Sequence, residues 1–174
     1  MKHVAIAVLA AIFIIPSSAT SSSAQTRRRT TPRPSAAATA QKTAQVRTAG
    51  ATRVAEQIKL LTRFTYVLGT AISGITEVDE AIRRNEASPA QVQNNQQSKA
   101  RVKQSIQDFR VGLDKLEIDF RATPELQPYY IKLAGVAAGA ATAEEQAAAN
   151  QFEPAGRTLL NVINRLTDVL LAMR

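Results

Sequence analysis

The stretch VKQSIQDFRVGLDKLEIDF, residues 102–120, decides the fold. Val102, Ile106, Phe109, Leu113, Leu116 and Phe120 recur at steps of four, three, four, three and four. That spacing places them in one apolar stripe along an α-helix. Lys103, Gln107, Asp108, Arg110, Asp114, Lys115 and Asp119 stand between them, so the opposite face is wet. Isolated helices are marginal in water, and most helical stability in proteins comes from packing an apolar face. The stripe therefore requires partner helices.

Partners lie on both sides in the sequence. Upstream, Val54, Ile58, Leu61, Leu68, Ile72, Ile75 and Ile82 keep the same spacing, with Thr65 and Asp79 on the seam. They predict a helix over about 50–86, starting near Thr48 to Thr52. Gly69 and Gly74 each cost about 1 kcal/mol against alanine and mark a potential bend. Ser88-Pro89-Ala90-Gln91 then reads as a cap, a proline at the first helical position and a capping-box glutamine. The central helix follows over about 89–121, with Asn95 on its seam, where a buried amide can fix register. Thr123-Pro124-Glu125 ends it and opens a third helix over about 125–149, carrying Leu126, Tyr130, Leu133, Ala137 and Ala140. This helix is rich in small residues, including Gly135 and Gly139. Glu153-Pro154 opens a fourth over about 154–173, with Leu159, Val162, Leu166, Val169 and Met173 on its stripe.

Four amphipathic helices joined by short turns predict an all-α fold, an antiparallel up-down-up-down four-helix bundle over residues 48–174. If the chain reverses about Thr123, facing residues of the second and third helices carry numbers summing to about 246. Phe120 then meets Leu126, Leu116 meets Tyr130, Leu113 meets Leu133, Phe109 meets Ala137 and Ile106 meets Ala140. Large side chains oppose small ones, which is how a close-packed core fills its volume. The predicted core is Val102, Ile106, Phe109, Leu113, Leu116, Phe120, Leu133, Gly135 and Gly139, with Phe109 filling the groove left by the two glycines.

The N-terminus has a different character. Lys2, the apolar run Val4–Ile15, Pro16 and the small residues Ser22-Ser23-Ala24 form the three regions of a secretory signal peptide, residues 1–24. The run is shorter than the ~20 residues that span a bilayer. Arg27-Arg28-Arg29 just beyond it are the argument for the alternative, an uncleaved membrane anchor, because such clusters tend to stay cytoplasmic. Up to residue 63 there are ten lysines and arginines against one acid, Glu56, whereas from Phe64 onward twelve bases face thirteen acids. The net charge of +8 thus belongs to the N-terminal part. Residues 25–47 hold no acid and almost no large apolar side chain, and they read as a disordered basic arm.

Several chemistries lack their usual groups. The sequence has no cysteine, and its one histidine, His3, lies in the signal segment. The usual neutral-pH general base, covalent thiol nucleophile and commonest zinc ligands are therefore missing from the bundle. Glu77, Asp79 and Glu80 with Asp114, Glu117 and Asp119 form a carboxylate set, but bundle di-metal sites add histidines in a Glu-x-x-His pattern. Asp79 with Arg83, and Glu80 with Arg84, fit better as helix-face ion pairs. Tyr129-Tyr130 beside Pro128 are expected to cover the end of the core. No catalytic residue, cofactor or metal ligand is assigned.

The function expected on these grounds is that of an exported, non-enzymatic helical protein that binds an envelope component or another macromolecule. Arg27, Arg28, Arg29, Arg33, Lys42 and Arg47 are its candidate contacts to an anionic partner. Envelope lipid or anionic polysaccharide ranks first, a protein partner is a further option, and nucleic acid ranks low for an exported chain. The oligomeric state is left open. The alternative is a carrier of a small hydrophobic ligand, held in a cavity beside the Gly/Ala-rich third helix.

Overall fold

A computed structural model describes residues 36–174. These are almost entirely helical, in the order α1 (Ala36–Arg83), α2 (Pro89–Ala122), α3 (Gln127–Leu133), α4 (Val136–Ala148) and α5 (Phe152–Ala172). The segment 1–24 and Arg27, Arg28, Arg29 and Arg33 lie outside the described residues.

Helix α1 begins at Ala36, twelve residues before the start expected near Thr48. Residues 36–47, read from the sequence as part of a disordered arm, are helical turns. That reading weighed only how little the segment can bury. Ala36-Ala37-Ala38-Thr39-Ala40 supplies the best helix former instead, and a helix already nucleated by a packed body extends cheaply into such residues. Neither Gly69 nor Gly74 interrupts the helix. It ends at Arg83, where Asn85 takes a left-handed conformation (φ 59°). There the Glu86 N–H donates to Ala81 O at 2.8 Å and the Asn85 N–H to Ile82 O at 3.0 Å, a Schellman closure. The end of α4 repeats it: Asn150 has φ 61°, and the Gln151 N–H donates to Gln146 O. Between α1 and α2, Ser88 and Gln91 form the full capping box, with Pro89 in the first turn.

The third helix is two helices. It stops at Leu133 and restarts at Val136, because Gly135 sits at φ 87°, where a side chain would be strained. The break is bracketed from both sides. Arg165 of α5 donates to the carbonyls of Ala134 and Gly135, each at 3.2 Å, while the Ala137 N–H donates to the Glu117 carboxylate of α2 at 2.8 Å. Helix ends leave backbone groups unpaired, and these two side chains pair some of them.

Helix α1 packs against α2 and α5, α2 against α3 and α4, and α3 and α4 against α5. The core comes from every element: Leu61 and Leu68 of α1, Ile106, Leu113 and Phe120 of α2, Leu133 of α3, Val136 and Ala140 of α4, and Leu159 and Leu166 of α5. Of the core set read from the sequence, Val102, Ile106, Leu113, Leu116, Phe120 and Leu133 are buried, while Phe109, Gly135 and Gly139 are half-buried. Phe109 turns toward α1 and packs its ring on Phe64, centroids 5.1 Å apart and planes at 58°. The groove at Gly139 is filled from α5: a Cβ there would stand 2.9 Å from Val162 Cγ2.

The chain reverses after Thr123, but the register differs from the one expected. Contacting pairs sum to 251 for Lys103–Ala148 and to 254 for Glu117–Ala137 and Arg110–Glu144. The offset from 246 is about one heptad, so the same faces still meet. The turn after Thr123 and the break at Gly135 take up the extra residues.

Candidate functional site: the exposed N-terminal turns of α1

Gly50 marks where the packed body ends. Leu126 and Met173 close over it so tightly that a Cβ at this position would lie 2.8 Å from Leu126 Cδ2 and 3.1 Å from Met173 Cε. Upstream, residues 36–49 continue α1 for a further ~21 Å at 1.5 Å per residue. All are exposed except Thr43 and Val46, which are half-buried, Val46 against the edge of the core. Lys42 and Arg47 stand on these turns and are exposed. No acid precedes Glu56, so nothing on this part of the helix neutralises them. Of the six candidate contacts, these two are the ones the structure places, and it places them on a helix.

Farther along α1, two charges are paired across to α2. Arg53 pairs with Asp119 of α2. At the other end, the buried Asn95 donates from Nδ2 to Asp79 Oδ1 at 2.7 Å, and Lys99 Nζ lies 2.6 Å from the same oxygen. Asp79 therefore meets α2 and not Arg83, as expected from helix-face spacing; Arg83 lies 3.8 Å from Glu80, and Arg84 pairs with Glu86. Spacing along one helix cannot see a cation on the next. The meeting was nonetheless legible, since Asp79 and Asn95 both fall on seams that the turn at Ser88 folds together.

Asp114 and Glu117 of the carboxylate set are also engaged. Arg110 lies 3.5 Å from Asp114 and 2.7 Å from Glu144, the latter as a charge contact off the N–H direction. Glu117 caps α4. Among the described residues no group of histidine, cysteine or carboxylate side chains is arranged to hold a metal ion, and no helix is long and apolar enough to cross a membrane. Tyr129 and Tyr130 are half-buried against the core.

The surface has shallow grooves. One of about 660 Å³ lies between α3 and α5, lined by Ile131, Lys132, Arg165 and Asp168. Another of about 380 Å³ lies on the outer side of α1 and α2, lined by Ala71, Gly74, Val78, Asn94 and Ser98. Beside α4, Val162 stands against Gly139 and the Arg165 guanidinium against Gly135. The two residues that bracket the break, Glu117 and Arg165, had no local sequence signal, being 20 and 30 residues from the backbone groups they hold. No known protein family, curated protein or solved structure matches the chain.

Proposed function

We propose that this is an exported, non-enzymatic four-helix protein of up-down-up-down topology that docks on an anionic envelope component through its basic N-terminal region. The observation that carries this reading is the separation of charge from packing. The excess positive charge lies at residues up to 63, and Lys42 and Arg47 are held outward on turns of α1 beyond the packed body. The remainder is nearly neutral. The pairing of each helix with its neighbours in the chain supports the topology.

Attraction of this kind is long-ranged and screened by salt over about 8 Å at physiological ionic strength. On anionic lipid each base near the surface contributes about 1 kcal/mol. The test replaces Arg27, Arg28, Arg29, Arg33, Lys42 and Arg47 by glutamine. Retention of the full chain on anionic vesicles, or on cell-wall material, is compared with thermal unfolding. The expected result is an unchanged unfolding midpoint and loss of a retention that, before substitution, weakens with salt. Undiminished retention after substitution would move the partner surface onto the helical body.

A further inference from the structure

Among the described residues, helix α1 has a second apolar stripe that its own chain covers only in part. Leu60, Phe64, Val67, Ala71, Gly74 and Val78 recur at steps of four and three, beside the buried stripe of Leu61, Leu68 and Ile75 and turned outward from it. Leu60 is 49% exposed and Val67 61%. Phe64 and Val78 are half-buried, and a Cβ on Gly74 would have nothing within 4 Å. Phe64 already stacks on Phe109 of α2 and Ala71 packs against the core, so the open part of this heptad seam is Leu60, Val67 and Gly74.

We infer that a second copy of this chain covers it, with the two α1 helices antiparallel about a two-fold axis near Thr70. In that arrangement the seam is complementary to itself. Residues whose numbers sum to about 138 face each other, so Leu60 opposes Val78, Phe64 opposes Gly74, and Val67 opposes Ala71. Each bulky residue meets a smaller one, and the groove lined by Ala71, Gly74 and Val78 receives Leu60 and the open edge of Phe64 of the second copy. The flanking charges agree. On the open side of an antiparallel seam the residues before each first apolar position meet their own kind across the axis. Here Arg63 meets Glu77, Glu56 meets Arg84, and Thr70 meets Thr70. Arg63, Glu77 and Glu56 have no ion-pair partner among the described residues, while Arg84 holds Glu86 within its own chain.

Helix α2 repeats the pattern on the other flank. Ser98, Ser105 and Gly112 are small, half-buried and seven residues apart; Ser98 lines the groove with Ala71, Gly74 and Val78, while Gly112 lies against Gln57 of α1. The axis passes near Ser105, so Ser98 opposes Gly112 and the exposed Arg101 opposes the exposed Asp108. A seam of 18 residues is about 27 Å long and two helices are about 20 Å wide, so the pair buries on the order of 1,000 Å². That is the lower edge of a specific interface. An isologous pair of this kind closes and does not form fibres. Its two Ala36 ends point in opposite directions, about 100 Å apart.

The test is sedimentation of the full chain over a concentration series. The expected outcome is a concentration-dependent dimer. Arg63→Glu should raise the dissociation constant at least tenfold by setting like charges together twice, and Glu77→Arg in the same chain should restore association. Both residues are exposed, so neither change disturbs folding. The sequence has no cysteine, which makes Thr70→Cys a clean probe. It should give a disulfide-linked dimer on mild oxidation, whereas Thr62→Cys, also exposed, should not. A chain that stays monomeric at several hundred micromolar overturns the inference. So does an assembly indifferent to Arg63→Glu, or one in which Thr62→Cys crosslinks as readily as Thr70→Cys.

Discussion

Gly69 and Gly135 are the same residue in opposite situations. Gly69 lies in a regular helix with nothing within 4 Å of where a Cβ would stand, so Gly69→Ala should stabilise by about 1 kcal/mol in urea unfolding. Gly135 has φ 87°, and a Cβ there meets Arg165 at 3.4 Å, so Gly135→Ala should cost about 1–2 kcal/mol. Equal effects at the two positions would contradict the backbone described for the break. Phe109 and Phe120 make a similar contrast. Phe120 is fully buried, and Phe120→Ala should cost about 3–5 kcal/mol. Phe109 lies half-buried on Phe64, and Phe109→Ala should cost about half as much; comparable losses would place Phe109 in the core after all. The sequence put both on one stripe, which was right. Spacing gives the face of a helix but not the depth of each residue on it, because depth depends on where the neighbouring helix crosses.

At the scale of elements, the capping box at Ser88 and Gln91 was legible because its chemistry is local. The division of the third helix was not. Its glycine was visible, but the groups that hold the break open come from α2 and α5. Arg165→Ala should free the carbonyls of Ala134 and Gly135. Amide exchange in α3 should quicken, while α1 keeps its protection, since local opening follows local contacts. If exchange rises equally in both, Arg165 supports the whole body and not the joint. The contact between α4 and α5 gives a second check. Gly139→Leu should overpack Val162 and cost about 1–3 kcal/mol, and Val162→Ala in the same chain should return part of it. Additive losses would mean that the two positions do not touch.

For the whole molecule, composition separated a basic N-terminus from a nearly neutral body, and of that N-terminus residues 36–49 stand on exposed turns of α1. What composition could not show was that the last part of the arm is helical. Low apolar content argues against a core, yet a helix needs no core of its own when it continues one. Lys42→Glu combined with Arg47→Glu reverses two charges on exposed turns. The unfolding midpoint should be unchanged, while retention on anionic vesicles should fall. A lowered midpoint would show that these turns bear on the body.

Because residues 36–49 are a helix and not a cord, the bearing of Lys42 and Arg47 has a phase. Each residue of an α-helix turns its successors by about 100° and advances them 1.5 Å. Two alanines inserted after Thr48 would lengthen the projection by only ~3 Å yet swing both charges through about 200°. Four alanines lengthen it by ~6 Å and bring them back to within about 40° of their first azimuth. A cord would respond to these insertions by length alone, the longer one having the larger effect. A rigid projection responds by angle, so the shorter insertion is the one that points the charges the wrong way round.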